Sequence, residues 1–178
     1  MKKFLSVFLM AIICCGVLAA EDAKAQYNLG VCYKTGEGVE QDIKKAVELY
    51  RKAADQGNAR AQYNLGDCYY NGYGVEKDHT KAVKWCRKAA DQGYAKAQYD
   101  LGVCYATGQG IEQDIKKAVE WCRKAAVQGH AEAQYNLGVC YYNGDGVEKD
   151  YTKAVEWFCK AADQGYEPAK ATLKKLGY

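Results

Sequence analysis

Serine, histidine and proline are scarce in this 178-residue chain, and each scarcity narrows what the protein can do. Ser6 is the only serine, so the rest of the chain contains no serine nucleophile. The two histidines, His79 and His130, lack the neighbouring cysteine or acidic pattern of a metal-binding motif. Pro168 is the only proline, so no proline-rich linker divides the chain. We therefore expect no catalytic residues, no metal site and no cofactor.

Positive and negative charges are nearly balanced, with 25 basic and 22 acidic residues. Each lysine-rich stretch is matched by glutamate or aspartate nearby, whereas binding to a nucleic-acid backbone requires a concentrated basic stripe. Nucleic acid is therefore not an expected partner.

The first 20 residues have the pattern of an export signal. Two lysines precede an uncharged run, residues 4–20, which ends in small residues and is followed at once by two acidic ones. The run is short for a membrane span. We expect cleavage after Ala19 or Ala20, and a periplasmic or secreted mature chain, residues 21–178, without a membrane span. A retained membrane anchor is the alternative.

A 36-residue pattern occurs four times, in residues 23–58, 59–94, 95–130 and 131–166. Each copy opens with A-x-A-Q-Y-N-L-G-x-C-Y, from which Asp100 is the one departure, and continues with G-x-G-[VI]-E-x-D. A period of this length is typical of stacked repeats, in which each unit buries its apolar face against its neighbours. Residues 167–178 start a fifth copy and predict a C-terminal capping helix.

Each copy predicts two helices joined by a glycine turn. In the second copy the helically spaced apolar positions are Ala61, Leu65, Gly66 and Tyr69, then Ala82, Val83, Cys86, Ala89 and Ala90. Gly72 and Gly74 suit a tight turn because glycine readily adopts positive φ, and Asp78 is placed to cap the second helix. Gly66 lies inside the first helix, where glycine lowers helix stability by about 1 kcal/mol relative to alanine. We expect close contact with the paired helix to offset this loss.

This motif resembles the Sel-1-like repeat, a relative of the tetratricopeptide repeat, from Ala23 to the C-terminus. The resemblance implies an all-α fold, a right-handed α/α superhelical solenoid of four helix hairpins plus the capping helix. It also implies binding of a peptide or protein partner. Our main expectation is an exported, non-enzymatic scaffold that binds its partner in the concave groove.

Two other functions stay open. Some exported, cysteine-rich members of this family have been linked to β-lactam binding and hydrolysis, so a β-lactamase-type hydrolase is an alternative by analogy alone. Acidic residues such as Glu37, Glu40 and Asp42 recur at turns and helix caps, which indicates a structural role rather than an acid–base pair. A structural or adhesive cell-surface protein is the second alternative.

Seven cysteines lie beyond the export signal. One slot of the first helix holds Cys32, Cys68, Cys104 and Cys140, and one slot of the second helix holds Cys86 and Cys122. Cys159 lies one residue after that second slot. Buried thiols in tight helix contacts are one interpretation, and disulfides formed in an oxidising compartment are the other. If bridges form, the short turn between copies favours pairing Cys86 with Cys104 and Cys122 with Cys140.

In a stack of hairpins the first helices line the concave face, so their side chains outside the core are candidates for partner binding. Tyrosine supplies contact area, and asparagine both donates to and accepts from a peptide backbone. The predicted partner-binding residues are Asn28, Tyr63, Asn64, Tyr70, Tyr99, Asp100, Tyr135, Asn136 and Tyr142. Packing between helices is the other interpretation of the tyrosines. A tryptophan row on the second helices, Trp85, Trp121 and Trp157, indicates packing rather than a ligand site.

The export signal makes a direct prediction about the mature N-terminus. Protein purified from its own cells should begin at or near Glu21, because cleavage follows the small residues Ala19 and Ala20. N-terminal sequencing measures this. Recovery of the chain from a membrane fraction with Met1 retained would replace export with anchoring.

Overall fold

The computed structural model describes residues 22–178, and the predicted export signal lies outside these residues. The chain divides into two compact units between Asp78 and His79. The described part of the first unit runs from residue 22 to residue 78, and the second unit runs from residue 79 to residue 178.

All regular secondary structure of the described residues is helical, with no strand between residues 22 and 178. The first unit contains α1 (residues 22–35), α2 (Ile43–Asp55) and α3 (Ala59–Asn71). The second unit contains α4 (His79–Asp91), α5 (Ala95–Thr107), α6 (Ile115–Val127), α7 (Ala131–Asn143), α8 (Tyr151–Asp163) and α9 (Glu167–Leu176). The odd-numbered helices are the first helices of the repeats, and α9 is the expected C-terminal helix.

The turns and caps follow the sequence pattern. Asp114 begins α6 by accepting a hydrogen bond from the Lys117 backbone N–H at 3.0 Å, and Asp42 and Asp150 do the same for α2 and α8. Such a cap satisfies one of the free N–H groups at a helix start. Gly144 ends α7 with φ of 86°, in the left-handed region that glycine adopts without strain. These caps confirm the helix boundaries that the repeat predicts.

The glycines inside α1, α5 and α7 permit close packing, as their position in the sequence suggests. A Cβ atom added to Gly138 would lie 2.6 Å from the Phe158 ring, and one added to Gly30 would lie 2.8 Å from the Tyr50 ring. At Gly102 the nearest atom is instead the Ala118 carbonyl oxygen, at 3.0 Å. Any larger residue at these positions would push the paired helices apart.

A buried glutamine joins three helices of the second unit. The Gln98 amide on α5 donates to the Ala90 carbonyl at the end of α4, at 3.1 Å, and its side-chain oxygen accepts from Gln128, just after α6, at 2.7 Å. One repeat later Gln134 donates to Ala126 and accepts from Gln164 at the same two distances. Each helix-end carbonyl also accepts from a glycine backbone N–H, Gly93 for Ala90 and Gly129 for Ala126, so the glutamine is its second donor.

An arginine also links each repeat to the next. Arg87 on α4 donates to the Tyr105 hydroxyl on α5 at 2.9 Å, and Arg123 on α6 donates to the Tyr141 hydroxyl on α7 at 2.7 Å. The first unit has the same contact at 2.8 Å, from Arg51 on α2 to Tyr69 on α3. Each guanidinium also lies over the ring of its tyrosine, which adds a cation–π attraction.

Replacing Gln134 by leucine should lower the free energy of unfolding by roughly 1–3 kcal/mol, because two hydrogen bonds are lost, to Ala126 and from Gln164, and each contributes about 0.5–1.5 kcal/mol. Gln164→Ala is the control, since it removes only the outer bond of the same chain. Urea unfolding measures both. Equal stability of Gln134→Leu and the unmodified chain would show that the glutamine bonds are dispensable.

Candidate functional site

The predicted binding residues of the second unit lie on α5 and α7, the first helices of the third and fourth repeats. The structure brings two of them together: the Asn136 amide nitrogen donates to the Tyr99 hydroxyl at 3.3 Å. Both side chains are half-buried. Because the amide nitrogen donates in this bond, the Asn136 side-chain oxygen is available to accept from a backbone N–H.

The other predicted residues of this unit differ in exposure. Tyr135 packs between the rings of Phe158 and Tyr166, with centroids 5.5 Å away in both cases, as the packing interpretation expects. Tyr142 is exposed and meets the Tyr151 ring edge-on at 5.1 Å. Asp100 is half-buried, and burial together with a smaller effect of this nearby carboxylate raises the pKa of the Cys86 and Cys104 thiols.

In the first unit the predicted residues lie on α1 and α3. Asn28 and Tyr70 are exposed, whereas Tyr63 and Asn64 are half-buried. Asn64 lies beside the buried Tyr50 hydroxyl, which has no partner of good hydrogen-bond geometry among the described residues. Burial raises the pKa of Tyr50 to about 12, and the nearby Asn64 side chain acts in the opposite direction. Tyr50 therefore stays neutral at physiological pH.

A surface cavity of about 300 Å³ opens between α5, α6 and α7, beside the Asn136–Tyr99 pair. We call it the repeat 3 cavity. Its walls are Tyr99, Gly102, Val103, Ala106, Ile115, Ala118, Val119, Cys122, Asn136, Val139, Cys140 and Asp145. We did not predict this cavity from the sequence, because its walls come from three helices and a turn. One sequence signal was present: Ala106 holds a slot that Lys34, Tyr70 and Tyr142 fill in the other repeats.

All seven cysteines of the described residues are free thiols in the structure. The Cys86 thiol donates to the Ala97 carbonyl and the Cys122 thiol to the Ala133 carbonyl, both at 3.2 Å. Burial, with a smaller effect of Cys140, raises the pKa of Cys122 to about 12. Burial is also the main cause that raises the pKa of Cys104 to about 11. The proposed pairs are neighbours, and their oxidation stays a prediction.

The histidines and tryptophans contact other side chains of this chain. The His130 ring stacks on Tyr99 with centroids 4.8 Å apart, and a His79 ring nitrogen lies 3.2 Å from the Gln109 amide nitrogen. The three tryptophans are half-buried under lysine side chains, for example Lys124 at 3.8 Å from the Trp121 ring. Among residues 22–178, no three His, Cys, Asp or Glu side chains are grouped as metal ligands.

Helical hairpins of constant length, with glycine turns, capped second helices and bonds repeated every 36 residues, define a helical repeat protein. The Sel1 repeat model matches residues 23–58, 59–94, 95–130 and 131–166, so this chain belongs to the Sel1 repeat family. The fold is therefore the expected all-α repeat solenoid with a C-terminal helix. Sel1 repeat proteins generally mediate protein–protein interactions, and their fold is typically non-enzymatic.

Three solved structures illustrate the similarity. A protective antigen of uropathogenic Escherichia coli with an SLR fold is 43% identical over 85% of this chain and 32% of its own, with a TM-score of 0.83. A Sel1 repeat protein of Oxalobacter formigenes is 40% identical over 85% of this chain and 63% of its own, with a TM-score of 0.81. Cysteine rich protein B of Helicobacter pylori is 28% identical over 77% of this chain and 98% of its own, with a TM-score of 0.59.

This chain spans less than two thirds of the length of each of the first two proteins. No helix in the part of the chain that the structure describes has both the length and the apolar character needed to cross a bilayer. The comparisons therefore give the family and the general role, while the partner and the binding surface depend on this chain's own residues.

The buried thiols predict a loss of stability in alkaline solution. The Cys122 thiol has a pKa near 9.0 in the unfolded chain and about 12 in the folded one. The folded chain therefore binds the proton more tightly, so this contribution is complete below pH 9 and is lost as the pH rises from 9 towards 12. At pH 10 the loss should be roughly 1 kcal/mol.

The measurement is urea unfolding at pH 8 and pH 10 for the unmodified chain and for Cys122→Ala. The variant should lose less stability between the two pH values than the unmodified chain does. Identical losses would show that the Cys122 thiol ionises as readily in the folded state as in the unfolded one.

Proposed function

We propose that this chain is an exported, non-enzymatic scaffold that holds a peptide or protein partner against the exposed side of its first helices. The observation that carries the proposal is the Asn136–Tyr99 pair: a polar contact at the surface, between two first helices and beside an apolar cavity. An asparagine that fixes its nitrogen on a neighbouring hydroxyl presents its oxygen in a defined direction. Peptide recognition requires such oriented acceptors for backbone N–H groups.

Solvent exposure supports a binding role for other predicted partner-binding residues on the first helices. Asn28, Tyr70 and Tyr142 keep a large part of their surface in solvent, so the core does not account for them. Tyrosines fixed on helices supply contact area at low entropic cost. The proposed contact residues remain Asn28, Tyr63, Asn64, Tyr70, Tyr99, Asp100, Tyr135, Asn136 and Tyr142, although Tyr135 also serves as packing.

Neither alternative function gains support from an observation on this chain. A β-lactamase-type hydrolase rests on family analogy, since residues 22–178 contain no serine. A structural or adhesive surface protein needs no oriented acceptor on its first helices, which is what distinguishes it from a scaffold. We also infer that nucleic acid is not a partner, because the lysine-rich stretches are matched by glutamate or aspartate in the same repeat.

A library of random twelve-residue peptides displayed on phage tests the proposal. Peptides selected on the purified chain should bind at least tenfold more weakly to the double variant Asn64→Ala, Asn136→Ala. Its melting temperature should change little, because the Asn136–Tyr99 bond is only half-buried and such a bond contributes about 0.5–1.5 kcal/mol.

The matched control replaces Asp55 and Asp91 by asparagine, one exposed position at the end of a second helix in each unit. This variant should keep full affinity. A double asparagine variant that unfolds early would make the asparagines structural, and one that retains full affinity would place the binding surface elsewhere. A library that yields no binding peptide would favour the structural or adhesive alternative.

A further inference from the structure

The repeat 3 cavity has a counterpart 72 residues earlier in the chain, in the first unit. This repeat 1 cavity, of about 390 Å³, is lined by Lys34, Gln41, Ile43, Ala46, Tyr50, Cys68 and Tyr73. Ile43, Ala46 and Cys68 correspond to Ile115, Ala118 and Cys140 of the repeat 3 cavity. The chain thus contains two versions of one site, and a comparison of the two shows what is special about each.

In the first unit the cavity is no smaller, but its walls carry an aromatic ring and a charged pair. The Tyr50 ring is completely buried and packs against Gly30. The Lys34 ammonium, which lines the cavity, forms an ion pair with Asp67 on the neighbouring first helix at 3.4 Å. An aromatic ring at the base and an ion pair at the wall leave little apolar surface for a ligand.

The repeat 3 cavity has smaller residues at the corresponding positions. Cys122 replaces the Tyr50 ring, Ala106 replaces Lys34, and Val139 replaces Asp67. The base is therefore open and the ion pair cannot form. Val103 and Ile115 keep 39% and 40% of their surface exposed, which is costly for branched apolar side chains unless something covers them.

The size of this cavity fits one side chain. Its volume of about 300 Å³ lies at the lower end of the range of roughly 300–1,000 Å³ for ligand sites, and about 150 Å³ of apolar space is enough for a benzene ring. Valine, isoleucine and alanine supply half of the lining residues, so a branched aliphatic side chain is the best match in shape.

Charge at the wall indicates what lies next to that side chain. Asp145 is the one charged residue that lines the repeat 3 cavity, and Tyr73 holds its position in the first unit. Asp145 accepts a hydrogen bond from the neutral Asn143 amide at 3.0 Å, and no basic residue lines the cavity. Its charge reaches the cavity wall, because together with burial it raises the pKa of Cys140. A lysine or arginine of a partner would complement this carboxylate.

We propose that the repeat 3 cavity is a specificity pocket that receives one aliphatic side chain of an extended partner peptide, with a lysine or arginine beside it facing Asp145. The side-chain oxygen of Asn136, a residue that also lines the cavity, accepts a hydrogen bond from the peptide backbone at that point. This inference rests on the proposed function and adds the chemistry that the partner must carry.

The chain's own repeats supply two designs that should abolish the apolar wall of the pocket, one by filling it and one by charging it, and we call both pocket-closing variants. Ala106→Tyr places there the residue that the second and fourth repeats already carry at this slot, as Tyr70 and Tyr142. The double variant Ala106→Lys, Val139→Asp reproduces the Lys34–Asp67 pair of the first unit. Because both designs copy residues from other repeats, they should fold, and circular dichroism on heating checks this. Asp145→Asn removes the charge and keeps the volume.

Peptides selected on the unmodified chain should share a leucine, isoleucine or valine next to a lysine or arginine. Both pocket-closing variants should lose at least tenfold in affinity for these peptides, and libraries selected on the variants should lack the aliphatic preference. Asp145→Asn should abolish only the preference for the basic neighbour. If selected peptides instead bind the closed variants as tightly as the unmodified chain, the pocket assignment is wrong while the proposed function stands.

A second probe separates the pocket from the proposed function. In methyl NMR spectra, N-acetyl-leucine amide at millimolar concentration should shift the Val103, Ile115 and Val139 signals of the unmodified chain and leave those of Ala106→Tyr unchanged. N-acetyl-alanine amide is the control and should shift neither. Failure of the library with these shifts present would count against the scaffold proposal alone, whereas absence of the shifts would overturn the pocket.

Discussion

The hydrogen bonds of the buried glutamines are the contact on which the arrangement of the second unit depends. Gln98, near the start of α5, bonds to the end of α4 and to the residue just after α6. Gln134, near the start of α7, does the same with the ends of α6 and α8. A buried polar side chain is tolerated only if all its groups find partners. This requirement fixes the spacing of three helix ends at once, so neighbouring helices cannot slide without breaking a buried bond.

Within that fixed frame, a single slot on the second helix determines which side chain forms the base of a cavity. Tyr50 and Phe158 fill it with a ring that lies on a glycine of the paired helix, and Cys122 leaves it small. The backbone plan is the same in each case. Repeat architecture therefore lets a side-chain exchange in one copy create a binding feature without disturbing the glutamine bonds or the caps.

The fold could be predicted largely from the sequence, because its determinants are local and occur four times. The capping role of Asp42, Asp114 and Asp150 follows from the position of an aspartate before a helical pattern, and the turns follow from glycine spacing. Gln98 was not recognised as a bonded core residue, since its partners at Ala90 and Gln128 belong to other segments. The sequence pattern alone did not show that a side chain within the repeated motif is buried.

The site was predictable only in part. Asn136 and Tyr99 were chosen for their chemistry and position on the first helices, and the structure places them in contact. The cavity beside them was missed, because Ile115 and Asp145 come from a second helix and a turn, outside the stripe that helical spacing on the first helices selects. The volume of the cavity depends on the distances between three helices as well as on the small residues in its wall. A sequence pattern does not contain those distances.

The arginine that links one repeat to the next gives the array a direction. Arg51, Arg87 and Arg123 each reach forward to a tyrosine, whereas the fourth repeat carries Cys159 in this slot. If a second copy of residues 95–130 were inserted before Ala131, its tyrosine would accept a hydrogen bond from Arg123 of the preceding repeat. Its own arginine would donate to Tyr141 of the following repeat. A hairpin appended after the fourth repeat would meet a thiol that cannot make the same bond. Internal duplication would thus keep the arginine–tyrosine bond at every repeat boundary, whereas a boundary after the fourth repeat would lack it.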